Sequence, residues 1–201
     1  MDRPQVQVNA VRIVSFPQEA MPAALRAQSL ALQDQAWPRD HDGAPSEHDP
    51  ALHPISVLLL DDAHDDEIVL ACLDILSKQL THHGQRYAAS GLSAVVTDRT
   101  QRGRGYGHRL VTAARELTKA SGADLGIFTC DRPLAGFYKR AGWRVLPGAV
   151  LIGGTPDAPF PSDQFDKVTL AAFFTERARR HAMTFDHARI GLYPGNIDKL
   201  W

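Results

Sequence analysis

The 201-residue chain has little cysteine, two residues in all, and few aromatics, at 7%. Cys72 and Cys130 both sit in apolar, strand-like segments, which excludes a disulfide framework and reads as reduced core thiols in a cytoplasmic protein. Long hydrophobic runs are missing as well. A stretch such as Val57–Leu60 is far too short to cross a bilayer, and no basic-then-apolar leader is seen, so no membrane partner is expected. Charge of one sign is also lacking. Lys and Arg number 22 against 23 Asp and Glu, for a net charge of −1 and a pI near 6.7, which removes the electrostatic footprint of a nucleic-acid binder. Nine histidines are present, but no Cys/His quartet or His-x-x-x-His pair, so no metal is expected. What is present is a globular composition, 44% hydrophobic and 22% charged, in a length that suits one domain with a substantial core. That domain is expected to span residues 1–201, with its core at about 5–174 and a C-terminal extension over 175–201.

Alternation predicts a first strand over 5–14 and apolar spacing a helix from near Met21 to Gln33. Residues 37–54 hold four prolines and three histidines among few apolar residues, and read as a long loop with a helical turn near 46–52. Strands follow over 55–60, 68–80 and 86–97. Their connections are short, so they form an antiparallel meander. A helix is expected over 105–120, with Leu110, Val111, Ala114 and Leu117 on its core face and Gly122 ending it. A strand over 124–130, a helix from Asp131 to Arg140, and strands over 145–152 and 166–174 complete the pattern, with a Pro/Asp-rich loop over 155–163. The acidic run Asp61–Glu67 carries five acids in seven residues and reads as a solvated turn.

The sharpest chemical signal is Gln101-Arg102-Gly103-Arg104-Gly105-Tyr106-Gly107-His108, which follows a strand and opens a helix. Glycines there let backbone N–H groups approach a ligand and aim unsatisfied helix N-terminal donors at one spot, which suits a pyrophosphate. A Walker loop needs Gly-Lys-Ser/Thr, which is absent. A dinucleotide fingerprint needs Gly-x-Gly-x-x-Gly early in a βαβ unit, whereas here Gly-x-Gly-x-Gly follows a meander. The third option is an acyl-CoA pyrophosphate loop of the form Gln/Arg-x-x-Gly-x-Gly/Ala, met by Arg102, Gly105 and Gly107. About thirty residues on, Phe137-Tyr138-Lys139-Arg140-Ala141-Gly142-Trp143 matches a Phe-Tyr-x-x-x-Gly-Phe/Trp segment. A tyrosine there can protonate a departing thiolate.

Together these motifs and the order of elements resemble the GNAT superfamily of N-acetyltransferases, over most of the chain. The resemblance implies an α/β (α+β) fold, a mixed, mostly antiparallel sheet flanked by helices and splayed between its fourth and fifth strands. It implies acetyl-CoA as cosubstrate, its pantetheine arm pairing with Val95, Val96 and Thr97 and its pyrophosphate on Arg102, Gly103, Arg104, Gly105, Tyr106, Gly107 and His108. Val96 N–H would polarise the thioester carbonyl and Tyr138 would be the general acid. The reaction implied is direct attack by a primary amine in a ternary complex, with Cys130 a core residue.

Among GNAT enzymes the chain is most similar to aminoglycoside 2′-N-acetyltransferases. The likeness rests on the strand pair around Ser56–Leu60, on Phe137–Trp143, on Thr155-Pro156-Asp157, and on Asp198 before a terminal Trp201. It implies a small cationic acceptor bound by carboxylates, for which Asp40, Asp42, Ser93, Asp157, Asp198 and the Trp201 carboxylate are candidates, with Glu47 and Asp49 in the same loop as Asp40. That family carries an acid on the strand before the glycine loop, where this chain has Ser93, and a shorter tail. An acyl-CoA-binding sensor without catalysis and an acetyltransferase acting on a peptide amine are the alternatives. The apolar residues Phe185, Ile190, Leu192, Tyr193, Ile197, Leu200 and Trp201 require the tail to pack, either on its own sheet, over the acceptor pocket, or against a second copy in a homodimer.

Overall fold

The computed structural model describes residues 11–38, 48–62 and 67–193. Strand β1 (Val11–Pro17) runs antiparallel to β2 (Ile55–Asp61), with Val11 opposite Asp61 and Pro17 opposite Ile55. The first strand thus reaches Pro17 rather than ending at residue 14, and the expected part over 5–10 lies outside the described residues. Helix α1 (Ala23–Ala36) starts after Pro22, whose fixed φ suits a helix entry, and runs a turn beyond the expected end. Its buried face is Leu25, Ser29 and Leu32.

Strands β2, β3 (Ile68–His82) and β4 (Gln85–Thr97) form the expected meander. The β3–β4 link is two residues, His83 and Gly84, at φ of +46° and +73°. Positive φ at both central positions is the hairpin geometry whose twist matches the strands. Helix α2 (Tyr106–Ala120) packs Leu110, Val111 and Ala114 on the sheet. At its last turn Thr118 is buried instead of Leu117, its hydroxyl donating to the Ala114 carbonyl at 2.8 Å.

Strand β5 (Leu125–Asp131) runs parallel to β4, and the two pair only at Ala89–Leu125 and Ser90–Gly126. Beyond that point β4 continues along β3 to Thr97, while β5 continues along β9 (Lys167–Phe173) to Asp131. The sheet therefore opens into a wedge between β4 and β5, the splay the sequence resemblance implies. Gly126 stands at the fork because a Cβ there would lie 2.6 Å from the Trp143 ring. Among the described residues the large sheet has seven strands in the order β1-β2-β3-β4-β5-β9-β6, with β6 at Arg144–Val145. Helix α3 (Ala135–Arg140) follows a single 3-10 turn over Arg132–Leu134. Asp131 does not cap it, and instead ends β5 and pairs with Lys167 at 2.8 Å.

The strand expected over 145–152 is two strands in two sheets. Leu146–Ala149 turns the chain at Pro147 and Gly148, and β7 (Val150–Gly154) joins a smaller sheet between β8 (Pro159–Pro161) and β10 (Arg189–Gly191). Part of the expected 155–163 loop is thus strand, and the extension adds α4 (Glu176–Arg180), whose Thr175 cap accepts from Ala178 N–H at 3.2 Å. Phe185, Ile190 and Leu192 are buried in the main core, so the extension as far as Tyr193 packs on its own sheets. Two apolar clusters sandwich the large sheet. The larger carries α2, and the smaller joins Leu25 and Leu32 of α1 to Leu58, Cys72 and Val96. Among the described residues no helix is long and apolar enough to cross a membrane.

Candidate active site

The wedge holds a cleft of about 760 Å³. One wall is the free edge of β4 at Val95, Val96 and Thr97. Its roof is the glycine loop, with Arg102, Gly103, Gly105, Tyr106, Gly107 and His108, and its far wall is α3 with Phe137, Tyr138 and Arg140. Nine of the ten residues expected to bind the cosubstrate line this one space, and Arg104 is exposed beside it. The charged side chains on the lining are all cationic: Arg99, Arg102 and Arg140.

The roof is built by local backbone. Gly105 caps α2 at φ +80°, a region that a side chain disfavours, and Arg109 N–H makes the first intrahelical bond to its carbonyl at 3.0 Å. The N–H groups of Tyr106, Gly107 and His108 precede that bond, so the helix offers them no acceptor. Tyr106 presents only its backbone, since its side chain is in the core. Gly107 is needed for closeness, because a Cβ would lie 2.9 Å from Thr97 Oγ1 and 3.5 Å from the Phe137 ring.

The β4 wall carries a feature the sequence hides. Cys72 pairs with Val96 but Asp74 pairs with Ser93, so Ala94 and Val95 oppose the single residue Leu73. This is a β-bulge, and Ala94 takes it at φ +50°. Past the bulge, Asp98 N–H donates to Leu70 carbonyl on β3 at 2.9 Å. Beyond the bulge, the two-residue alternation of a strand turns the Val96 peptide toward β3 as well, and the Thr97 peptide toward the wedge.

Tyr138 is 5% exposed and its ring is held edge-on by Phe128, at 5.1 Å, and by Phe137, at 5.0 Å. Burial, with Cys130 and Asp131 nearby, pushes its phenol well above the ordinary value, so it stays protonated. Burial likewise pushes the Cys130 thiol up to about 11, and its Sγ donates to the Asp131 carbonyl at 3.3 Å. It is a protonated thiol rather than a ready nucleophile.

The acceptor candidates are not gathered in the same way. Ser93 lies on β4 opposite Asp74, outside the cleft lining. Asp157 is exposed on the β7–β8 turn. Asp40, Asp42, Glu47, Asp198 and Trp201 lie outside the described residues. Sequence reasoning missed the buried Asp74, which accepts from Ser56 Oγ at 2.5 Å and Gln33 Nε2 at 3.3 Å and sits 3.2 Å from His48 Nε2. A lone aspartate inside a long apolar strand, Ile68–His82, was the available signal.

Residues 13–146 match the family model described as "Acetyltransferase (GNAT) domain". Among solved structures the fold is similar to a GCN5-related N-acetyltransferase from Kribbella flavida, at 16% identity and a TM-score of 0.54 over 69% of this chain and 34% of that one. It is also similar to an acyl-CoA N-acyltransferase from Pseudomonas aeruginosa, at 15% identity and a TM-score of 0.54 over 81% of this chain and 99% of that one. A third is a GNAT-family acetyltransferase from Staphylococcus aureus, at 13% identity and a TM-score of 0.55 over 83% and 100%. This chain therefore spans about a third of the Kribbella protein and essentially all of the other two. No curated protein matches the sequence. With a family model covering about two thirds of its residues, and a splayed sheet of the matching fold, the chain belongs to the GNAT acetyltransferases.

Proposed function

We propose that the protein transfers an acetyl group from acetyl-CoA to a primary amine of a small cationic molecule, by direct attack in a ternary complex. The observation that carries this reading is the single cleft in which an unpaired strand edge, a helix N-terminus and a buried tyrosine meet. The pantetheine arm adds to the β4 edge as a strand would, along Val95, Val96 and Thr97. The pyrophosphate takes the roof donors, with Arg102 beside them. The donor to the thioester carbonyl is a backbone N–H of this edge: the sequence suggests Val96 N–H, and the bulge at Ala94 and Val95 beside it breaks the regular ladder and frees a neighbouring N–H for the same role. The amine, its ammonium proton lost to solvent, attacks the carbonyl carbon, the C–N bond forms as the C–S bond breaks, the thiolate takes the Tyr138 proton, and the proton shed by the new amide nitrogen restores the phenol. A phenol kept protonated by burial suits that role. The raised Cys130 thiol supports direct attack over an acetyl-cysteine intermediate.

The cationic acceptor is supported by the likeness to aminoglycoside 2′-N-acetyltransferases; of the acidic candidates, Asp49 and Asp157 fall among the described residues, and Asp49 caps a 3-10 turn by accepting from Ala51 N–H at 2.8 Å. The test is acetyl-CoA consumption, followed by thiol release, across aminoglycosides, polyamines and peptides with free N-termini. Turnover with a small polyamine or aminoglycoside supports the reading. Turnover with peptides alone overturns its acceptor class. Acetyl-CoA binding without turnover of any amine leaves a sensor.

A further inference from the structure

Acetyl-CoA is longer than the parts matched to the cleft above: beyond its pyrophosphate come a ribose and an adenine. On the lining of the same cleft stands Trp37, the residue that closes α1. It is 54% exposed, whereas Tyr138 in that lining is 5% exposed. Burial falls from the tyrosine, through the half-buried Gly107 and His108, to Arg99, Arg102, Gly103 and Trp37, all exposed. A ligand with its thioester at Tyr138 and its phosphates at the glycine loop carries its adenine toward that open end.

The backbone of Trp37 is fixed although its ring is bare. Its N–H donates to the Gln33 carbonyl at 2.8 Å, and Pro38 after it keeps the helix from continuing. Arg99 donates to the Gln35 carbonyl, which ties the last turn of α1 to the 3-10 turn Arg99–Gln101 that leads into the glycine loop. A guanidinium at the carbonyl end of a helix also suits the helix dipole. The indole is therefore held beside the phosphate loop on a firm support. Leaving a ring of that size in water is unfavourable, and a purine covers it by offset stacking of two flat π faces. The neighbouring charges narrow the choice of ligand. Arg99 and Arg102 on this lining repel an ammonium group and attract a ring that arrives with phosphates of its own.

We propose that Trp37 is the platform on which the adenine of acetyl-CoA stacks, so that the end of α1 selects nucleotide-bearing thioesters over shorter acyl donors. The inference rests on the reading of the cleft as the acetyl-CoA site. The adenine takes no part in bond making, and its contact is the same before and during acetyl transfer. Stacking therefore tightens cosubstrate binding and lowers its KM, while kcat is left unchanged.

The experiment titrates acetyl-CoA and S-acetyl-4′-phosphopantetheine, which lacks the adenosine, into wild type, Trp37→Ala and Trp37→Phe. Trp37→Ala should weaken acetyl-CoA binding by about tenfold and leave S-acetyl-4′-phosphopantetheine as it was. Trp37→Phe keeps a flat ring and should recover most of the loss. In a second measurement, 3′,5′-ADP should quench the indole emission of the wild type and leave that of Trp37→Phe unquenched. Undiminished acetyl-CoA affinity in Trp37→Ala overturns the proposal. An equal loss for both donors also overturns it, since Trp37 would then meet the pantetheine arm. If Trp37→Ala fails to fold, quenching that persists in Trp37→Phe overturns it. A wild type that binds no acetyl-CoA overturns the reading of the cleft and this proposal with it, whereas failure of the proposal alone leaves wild-type binding intact.

Discussion

Tyr138 reaches the cleft from a six-residue helix, and what fixes it there is the pair of rings from Phe128 and Phe137. Removing only its hydroxyl leaves that packing in place. Tyr138→Phe should therefore lower kcat by about a hundredfold while acetyl-CoA affinity and melting temperature hold, as steady-state rates and calorimetry on the same preparation would record. Unchanged turnover would mean that another group protonates the thiolate. At this scale the sequence is legible where function is local. The loop Arg102–His108 and Phe137–Trp143 are contiguous strings, and their chemistry follows from spacing. Ala94 and Asp74 are different. Alanine gives no hint of φ +50°, which costs about 1 kcal/mol or more and is imposed by the register of β4 against β3. Asp74 gains its partners only when α1, β2 and the segment at His48 close over it.

Between elements, one aspartate ties the C-terminal extension to the sheet. Asp124 accepts from Ala88 N–H at 3.0 Å, Thr175 Oγ1 at 2.8 Å and Arg177 at 2.6 Å, and Arg177 also stacks over Tyr87. Burial by itself would raise Asp124, but these hydrogen bonds and the guanidinium together hold its carboxyl below the ordinary value. A depressed carboxyl contributes stability above its unfolded value, near pH 4, and that contribution fades as pH falls through the lower folded value. Asp124→Asn should thus melt earlier than wild type at pH 7, by roughly 1–3 kcal/mol, and the gap should narrow as the pH drops below 4. A gap that persists or widens in acid would contradict this. The elements themselves were legible where period and turn chemistry agree, as in β2 to β4. They failed at 145–152, where Pro147 and Gly148 move the chain from one sheet to another inside an apolar run. Periodicity marks which residues are buried and not the sheet they join.

Over the whole molecule, the fork between β4 and β5 is the central device. Two paired residues hold the strands together, Trp143 fills the space above Gly126, and everything beyond is cleft. No sequence pattern marks a place where two strands part, so the splay is legible only through the family resemblance, while the register of β4 and β5 shows it directly. The cleft's cationic lining and helix N-terminus suit a long polyanion threaded past an apolar strand edge. The most direct measurement is isothermal titration of acetyl-CoA into wild type and into Gly105→Val. The variant forces a β-branched residue to φ +80° in the loop that lines the cleft. Saturable one-to-one binding by the wild type, lost by tenfold or more in a folded Gly105→Val protein, is the result expected. Absence of binding to the wild type, or equal affinity in the two, would contradict the assignment of the cleft.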